Sequence, residues 1–172
     1  LLIGCKTKNI EDKKINQSIN SLDMNLYSNK GNKLLSIKSP YSNYDNKKNI
    51  LNLKDTRIKL FKEGKAEYII TADSSVLSNN NKLINLRGNV LVNSLIKKED
   101  KLYSNNFTWN IENSQFLLVG KVKFLNNSIT LSSNKAILNK TNNIIEFFNP
   151  VKYEVNDSNN GNRYEVNSEN AY

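Results

Sequence analysis

Apolar and polar residues alternate along most of the chain with a period of two, the mark of strands with one buried and one wet face. Ile84, Leu86, Val90 and Val92 alternate around Gly88. Phe116, Leu118, Val122 and Phe124 do so around Gly120, and Ile145, Phe147, Val151, Tyr153 and Val155 around Asn149. A Gly or Asn in mid-pattern predicts a bulge or bend, not a strand end. Turn-forming clusters at 43–49, 79–82, 112–114 and 139–143 separate the runs. About ten short strands are predicted, mostly antiparallel, with no helix in the body. Each needs its apolar face covered, so two sheets must oppose each other or one must fold over itself.

The strands belong to a repeat. One motif is apolar-x-small: Ile37-Lys38-Ser39, Ile70-Thr71-Ala72, Leu102-Tyr103-Ser104, Leu131-Ser132-Ser133 and Val166-Asn167-Ser168. The other is apolar-x-turn residue: Leu53-Lys54-Asp55, Leu86-Arg87-Gly88, Leu118-Val119-Gly120 and Phe147-Phe148-Asn149. Small and turn residues stand 16 apart in all four complete copies, while the copies are spaced 33, 32, 29 and 35 residues apart. A constant offset inside a variable period means that the hairpin is constrained and its connection to the next tolerates insertion. The apolar parity also flips after each small residue: Tyr44, Leu77, Trp109 and Leu138 lie out of phase with Ile37, Ile70, Leu102 and Leu131. A kink at the small residue would return both groups to one face.

Composition removes most catalytic chemistry. The 172 residues contain no His, one Cys and six scattered Gly. A Ser-His-Asp triad, a His-ligated or Cys-cluster metal site, an internal disulfide and a P-loop are therefore ruled out. No pair of acids recurs in a motif, so an enzyme is not expected, and no cofactor is implied. Asn numbers 33, a bias that gives no single Asn functional weight. The net charge is +9, with a basic front and an acidic tail: residues 1–65 carry net +8 and residues 141–172 carry net −3. This polarity suits an anionic partner or head-to-tail assembly. Nucleic acid is not expected, because only three residues are Arg and the aromatics share the apolar face.

With these residues in view, the unit Ile70-Thr71-Ala72-Asp73-Ser74-Ser75-Val76-Leu77, followed by Leu86-Arg87-Gly88-Asn89-Val90, resembles the LptC/LptA/OstA group of lipopolysaccharide-transport proteins. The likeness recurs at Leu118-Val119-Gly120-Lys121-Val122 and at Ser133-Asn134-Lys135-Ala136, and it spans residues 22–172. It is closest to the LptC type. The resemblance implies an all-β fold: a slanted antiparallel β-jellyroll of two sheets that open as a V, built from about four hairpin repeats. It also implies the partners. These are lipopolysaccharide, the inner-membrane ATP-driven (ABC) lipopolysaccharide transporter, and an LptA-like periplasmic jellyroll protein that receives the lipid.

On that reading the apolar groove is lined by Ile70, Leu86, Val90, Leu102, Phe107, Trp109, Phe116, Leu118, Val122, Phe124, Leu138, Phe147 and Val151. Trp109 is expected near a mouth, with its N–H kept wet. Lys54, Lys59, Lys62, Lys82, Arg87, Lys121 and Lys123 are candidates for rim charges facing an anionic head group. The first and last strands are open edges for a partner strand, through Leu22, Met24 and Leu26 at one end and Tyr164, Val166 and Ala171 at the other. Leu2-Ile3-Gly4-Cys5 fits a lipobox, which makes residues 1–5 the remnant of a lipoprotein signal peptide and Cys5 an acylated membrane anchor. Residues 6–21 then form a flexible tether. Members of the resembled group commonly keep a transmembrane helix instead, so the membrane that holds Cys5, inner or outer, is left open; the inner membrane is favoured. The competing reading is a β-repeat scaffold or adhesin lipoprotein that carries no lipid.

Overall fold

The computed structural model describes residues 17–78, 80–113, 115–139, 144–156 and 163–171. They form ten strands: β1 (Gln17–Tyr27), β2 (Lys33–Asp45), β3 (Ile50–Lys62), β4 (Lys65–Ser78), β5 (Leu83–Ser94), β6 (Lys101–Asn110), β7 (Gln115–Leu125), β8 (Ile129–Asn139), β9 (Ile144–Asn156) and β10 (Arg163–Ala171). All are antiparallel and pair in sequence order, so the fold is all-β and a pure meander, with no helix among the described residues. The tightest connection, Glu63-Gly64, has both residues left-handed (φ 50° and 77°), as a two-residue hairpin with the sheet's twist requires.

Every strand is broken at its middle. The ladder is interrupted without a shift at Ser39-Pro40 opposite Asp55-Thr56, and its register skips at Gly88-Asn89 opposite Asn105. It skips again at Gly120-Lys121 opposite Asn134 and at Asn149-Pro150-Val151 opposite Ser133-Asn134. The breaks line up across the sheet as one crease. Odd-numbered strands cross it with left-handed backbone: Ser21 (φ 63°), Asp55 (48°), Gly88 and Asn89 (75° and 44°), Gly120 and Lys121 (82° and 50°) and Asn149 (50°). Asn, Asp and Gly tolerate that conformation best. At Gly88 a side chain would also run into the Asp73 carboxylate. Even-numbered strands cross it with a small residue, Ala72 in β4 and a serine in the other four, whose hydroxyl donates to the carbonyl two residues on: Ser39 to Tyr41 (2.7 Å), Ser104 to Asn106 (3.0 Å), Ser133 to Lys135 (2.9 Å) and Ser168 to Asn170 (2.7 Å). Both prolines of the chain, Pro40 and Pro150, sit here, where the ladder needs no N–H from them.

The crease decides the architecture. Side chains before and after it lie on the same face, and the sheet folds so that this face is inside. Ile37, Ile58 and Ile70 from one half and Ile84, Leu86 and Leu118 from the other are almost fully buried. A single layer exposed on both sides could not shield them so well.

Three expectations change. The hydrogen bonds join the strands into one continuous sheet, not two, because a bulge bends a strand without ending its ladder. For the same reason the strands are longer than the short runs expected, 9 to 14 residues. Third, β1 begins at Gln17, inside the segment 6–21 expected to be a tether. Residues 1–16, with Cys5 and the proposed signal remnant, lie outside the described residues.

Candidate functional site

The inner face is built from rows of register partners. One row runs Met24, Ile37, Ile58, Ile70, Val92, Leu102, Phe124, Leu131, Tyr153, Val166, one residue from each strand in turn. On the far side of the crease, another runs Leu53, Ser75, Leu86, Phe107, Leu118, Ala136, Phe147, Ala171 from β3 to β10. A third runs Leu51, Leu77, Ile84, Trp109, Phe116, Leu138, Ile145 from β3 to β9. Period-two alternation sends each of these side chains inward, and antiparallel pairing sets them side by side.

The two halves do not fill the space between them. A cavity of about 600 Å³ remains, within the range of about 300–1,000 Å³ usual for ligand clefts. Its wall is Leu60, Tyr68, Ile70, Val92, Leu102 and Phe124 from one side of the crease, and Phe107, Phe116, Leu118, Leu138 and Ile145 from the other. Phe116 is the centre of an aromatic group, with ring centroids 5.4 Å from Phe107 and 5.1 Å from Trp109. At one end the wall turns polar through Lys62, Glu67, Ser94, Asp100 and Lys101, with Ile96 beside them. Lys62, Lys101 and Ile96 are exposed there, so the cavity reaches solvent. Tyr68 faces this mouth; partial burial, and then the charges of Glu67 and Asp100, push its phenol above the usual value. It stays a neutral hydroxyl at physiological pH. The arrangement is an apolar chamber with a charged lip, suited to an amphiphile. Among the described residues no cluster of acids or thiols could hold a metal ion.

Of the thirteen groove residues expected, Ile70, Leu102, Phe107, Phe116, Leu118, Phe124 and Leu138 stand in the cavity wall. Leu86, Val90, Trp109, Val122, Phe147 and Val151 are buried in the surrounding core and are not part of it. Trp109 is not at a wet mouth: it is 4% exposed, and its Nε1 is buried without a hydrogen-bond partner. Leu60, Val92 and Ile145 complete the wall, and their alternation with polar neighbours was the available signal. Tyr68 and Ile96 had none. Of the expected rim charges only Lys62 is at the lip. Lys54, Lys59, Arg87 and Lys123 have the opposite parity and are exposed on the outward face, Lys121 sits at the crease, and Lys82 is bound to Glu112 at 2.5 Å.

The edges are β1 and β10, each paired on one side only among the described residues. Leu22, Met24 and Leu26 of β1 are half-buried against the core, as is Ala171 of β10. Tyr164 and Val166 of β10 remain open, at 56% and 55% exposure.

A search of curated protein sequences finds no significant match. Among solved structures, the chain is similar to the crystal structure of LptH, described as the LptA homologous periplasmic component of the conserved lipopolysaccharide transport device from Pseudomonas aeruginosa. The two are 12% identical with a TM-score of 0.55, over 77% of this chain and 93% of that one, a likeness of fold. The sequence profile described as lipopolysaccharide-assembly, LptC-related, matches residues 4–156. From that match across nearly the whole meander, the chain belongs to the LptC-related family of lipopolysaccharide-assembly proteins.

Proposed function

We propose that the chain is a periplasmic, non-catalytic carrier in lipopolysaccharide transport. It shelters acyl chains in the folded sheet and relays them from the inner-membrane ABC transporter to the next jellyroll protein. The supporting observation is the apolar cavity that the chain's own side chains leave open. An acyl chain of about twelve carbons loses on the order of 10 kcal/mol on entering water, so a protein that moves it through an aqueous space must enclose it. The charged lip leaves room for an anionic head group outside.

In this reading the open edges are the docking surfaces, with Leu22, Met24 and Leu26 at one and Tyr164, Val166 and Ala171 at the other. Strand addition there would carry the apolar rows into a neighbour without interruption. Cys5 is the acylated anchor to the inner membrane.

The test is light-induced crosslinking in cells from a photoreactive residue at Phe116, with Val119 on the outward face of the same strand as control. Adducts with lipopolysaccharide at Phe116 and none at Val119 are expected. Adducts with protein alone at both positions would return the chain to the scaffold reading. Labelled palmitate incorporated into the chain and lost in Cys5→Ser checks the anchor separately.

A further inference from the structure

We propose that the loop between β5 and β6 is a membrane-docking tip that sets Leu95 and Ile96 into the surface of an anionic bilayer, next to the cavity mouth. Its place beside the mouth has meaning through the carrier reading above; its binding to lipid does not depend on that reading.

Ile96 is 67% exposed, more than any other large hydrophobic among the described residues, and the adjacent Leu95 is 38% exposed. Isolated exposed aliphatics need no explanation, but two in succession, continuous through Ile96 with a cavity wall, do. Nor is the loop slack. The Leu95 N–H donates to the Glu67 carbonyl (2.7 Å), and the Ser94 N–H to the Asp100 carbonyl (3.1 Å). The Asp100 N–H donates to the Lys97 carbonyl (2.9 Å), and the Lys97 N–H to Ser94 Oγ (2.9 Å). These bonds fix the backbone of the loop that carries the two exposed aliphatic side chains.

The surrounding charge points to a lipid surface. Lys97 and Lys98 follow the aliphatic pair directly, and Lys62, Lys65 and Lys101 stand on the neighbouring strand ends, all exposed. No ion pair engages any of these five among the described residues. Glu63, Glu67, Glu99 and Asp100 offset them in part, but Glu67 and Asp100 are half-buried at the mouth. In the exposed run Leu95 to Glu99, the first four residues are aliphatic or cationic, and Glu99 closes it. Lysine stems can lie along the head groups while the aliphatics enter below them. A chain of net charge +9 is drawn to such a surface as a whole.

The experiment is sedimentation of the full chain carrying Cys5→Ser, which removes the acyl acceptor, with vesicles of phosphatidylethanolamine and phosphatidylglycerol. Binding that weakens with salt is expected. Combining Leu95→Ser with Ile96→Ser should lower partitioning by about tenfold, and Lys97→Gln or Lys98→Gln by about fivefold each. These side chains are exposed, so unchanged circular dichroism is expected, and a loop moved to a new environment can be read from a fluorophore at Ile96→Cys. Equal partitioning of parent and variants, or no partitioning with a fluorophore that stays in water, would overturn the proposal. Uptake of a fluorescent fatty acid is measured in parallel. A chain that takes up the probe but ignores vesicles keeps the carrier reading and loses the docking tip, and the reverse result separates them the other way.

Discussion

A single hydroxyl turns a strand at the crease without leaving a polar group stranded. Where the ladder skips, a carbonyl loses its partner, and an unsatisfied buried group costs about 1–3 kcal/mol. Ser39, Ser104 and Ser133 supply the missing donor from within the same strand. Ser104→Ala and Ser133→Ala should each lose about 0.5–1.5 kcal/mol in urea unfolding. Ser168→Ala, on an exposed strand, should stay within about 0.5 kcal/mol. On the odd-numbered strands, Gly88→Ala should destabilise more than Gly120→Ala. Both backbones are left-handed, but the new methyl at 88 meets a carboxylate and the one at 120 only the edge of the Asn105 amide. Adding Asp73→Gly should recover part of the loss at 88 and nothing at 120. Trp109 is the opposite case, a donor left over. Trp109→Phe removes the orphan N–H with the excess volume, so it should cost well under the about 3–5 kcal/mol expected of Trp109→Ala. Equal losses in calorimetry would mean that the N–H has a partner.

Among the elements, one ammonium group offsets a like-charge pair between β9 and β10. Glu154 and Glu165 are register partners, and like charges directly opposite repel. Lys152 Nζ lies 2.9 Å from Glu154 and 3.1 Å from Glu165, and bridges them. Hydrogen bonds to Glu154 and then Glu165 hold the Lys152 ammonium above its usual range. Bonds from Lys152 and then Asn167 hold the Glu165 carboxyl below its own. A lowered carboxyl supports the folded state above its unfolded pKa and stops doing so as pH falls through the folded one. A raised ammonium supports it below its unfolded pKa until pH rises through the folded one. The three-charge bridge is therefore whole near neutrality and weakens at both extremes, a small contribution because it is exposed. Hydrogen exchange should show β10 amides losing protection as pH falls below the usual carboxylate range while β4 keeps its own. Lys152→Gln should produce the same loss at neutral pH. Protection of β10 that is unchanged across this range would show that the ladder alone holds it.

For the whole molecule, burial predicts a gradient of protection. Side chains on β2 to β5 such as Ile37, Ile58, Ile70 and Ile84 are fully enclosed, whereas β10 buries little. Opening should begin at the β10 edge and reach β3 and β4 last. Much of this was legible in the sequence, because alternation tells which side chains share a face and a constant offset tells where that face must bend. The aliphatic partners Leu60, Val92 and Ile145 follow the same rule. What stayed hidden needs knowledge of what lies across the fold. Periodicity assigns Phe116 and Phe147 to the same face, but only the closing of the halves makes one a wall and the other filling. It could not place Trp109, because an indole is equally at home at a rim or inside, nor see that Leu95 and Ile96, two residues with no pattern, stand in solvent. And it could not distinguish one sheet from two, because alternation tells that a face is covered but not what covers it.

A meander in which every strand pairs only with the strands before and after it in the chain has a simple evolutionary freedom. A hairpin can be duplicated or deleted as a unit, since no distant segment threads between its strands, and the remainder keeps its register. Relatives of quite different length can then span different distances with the same cross-section, and the chamber grows or shrinks one rung at a time.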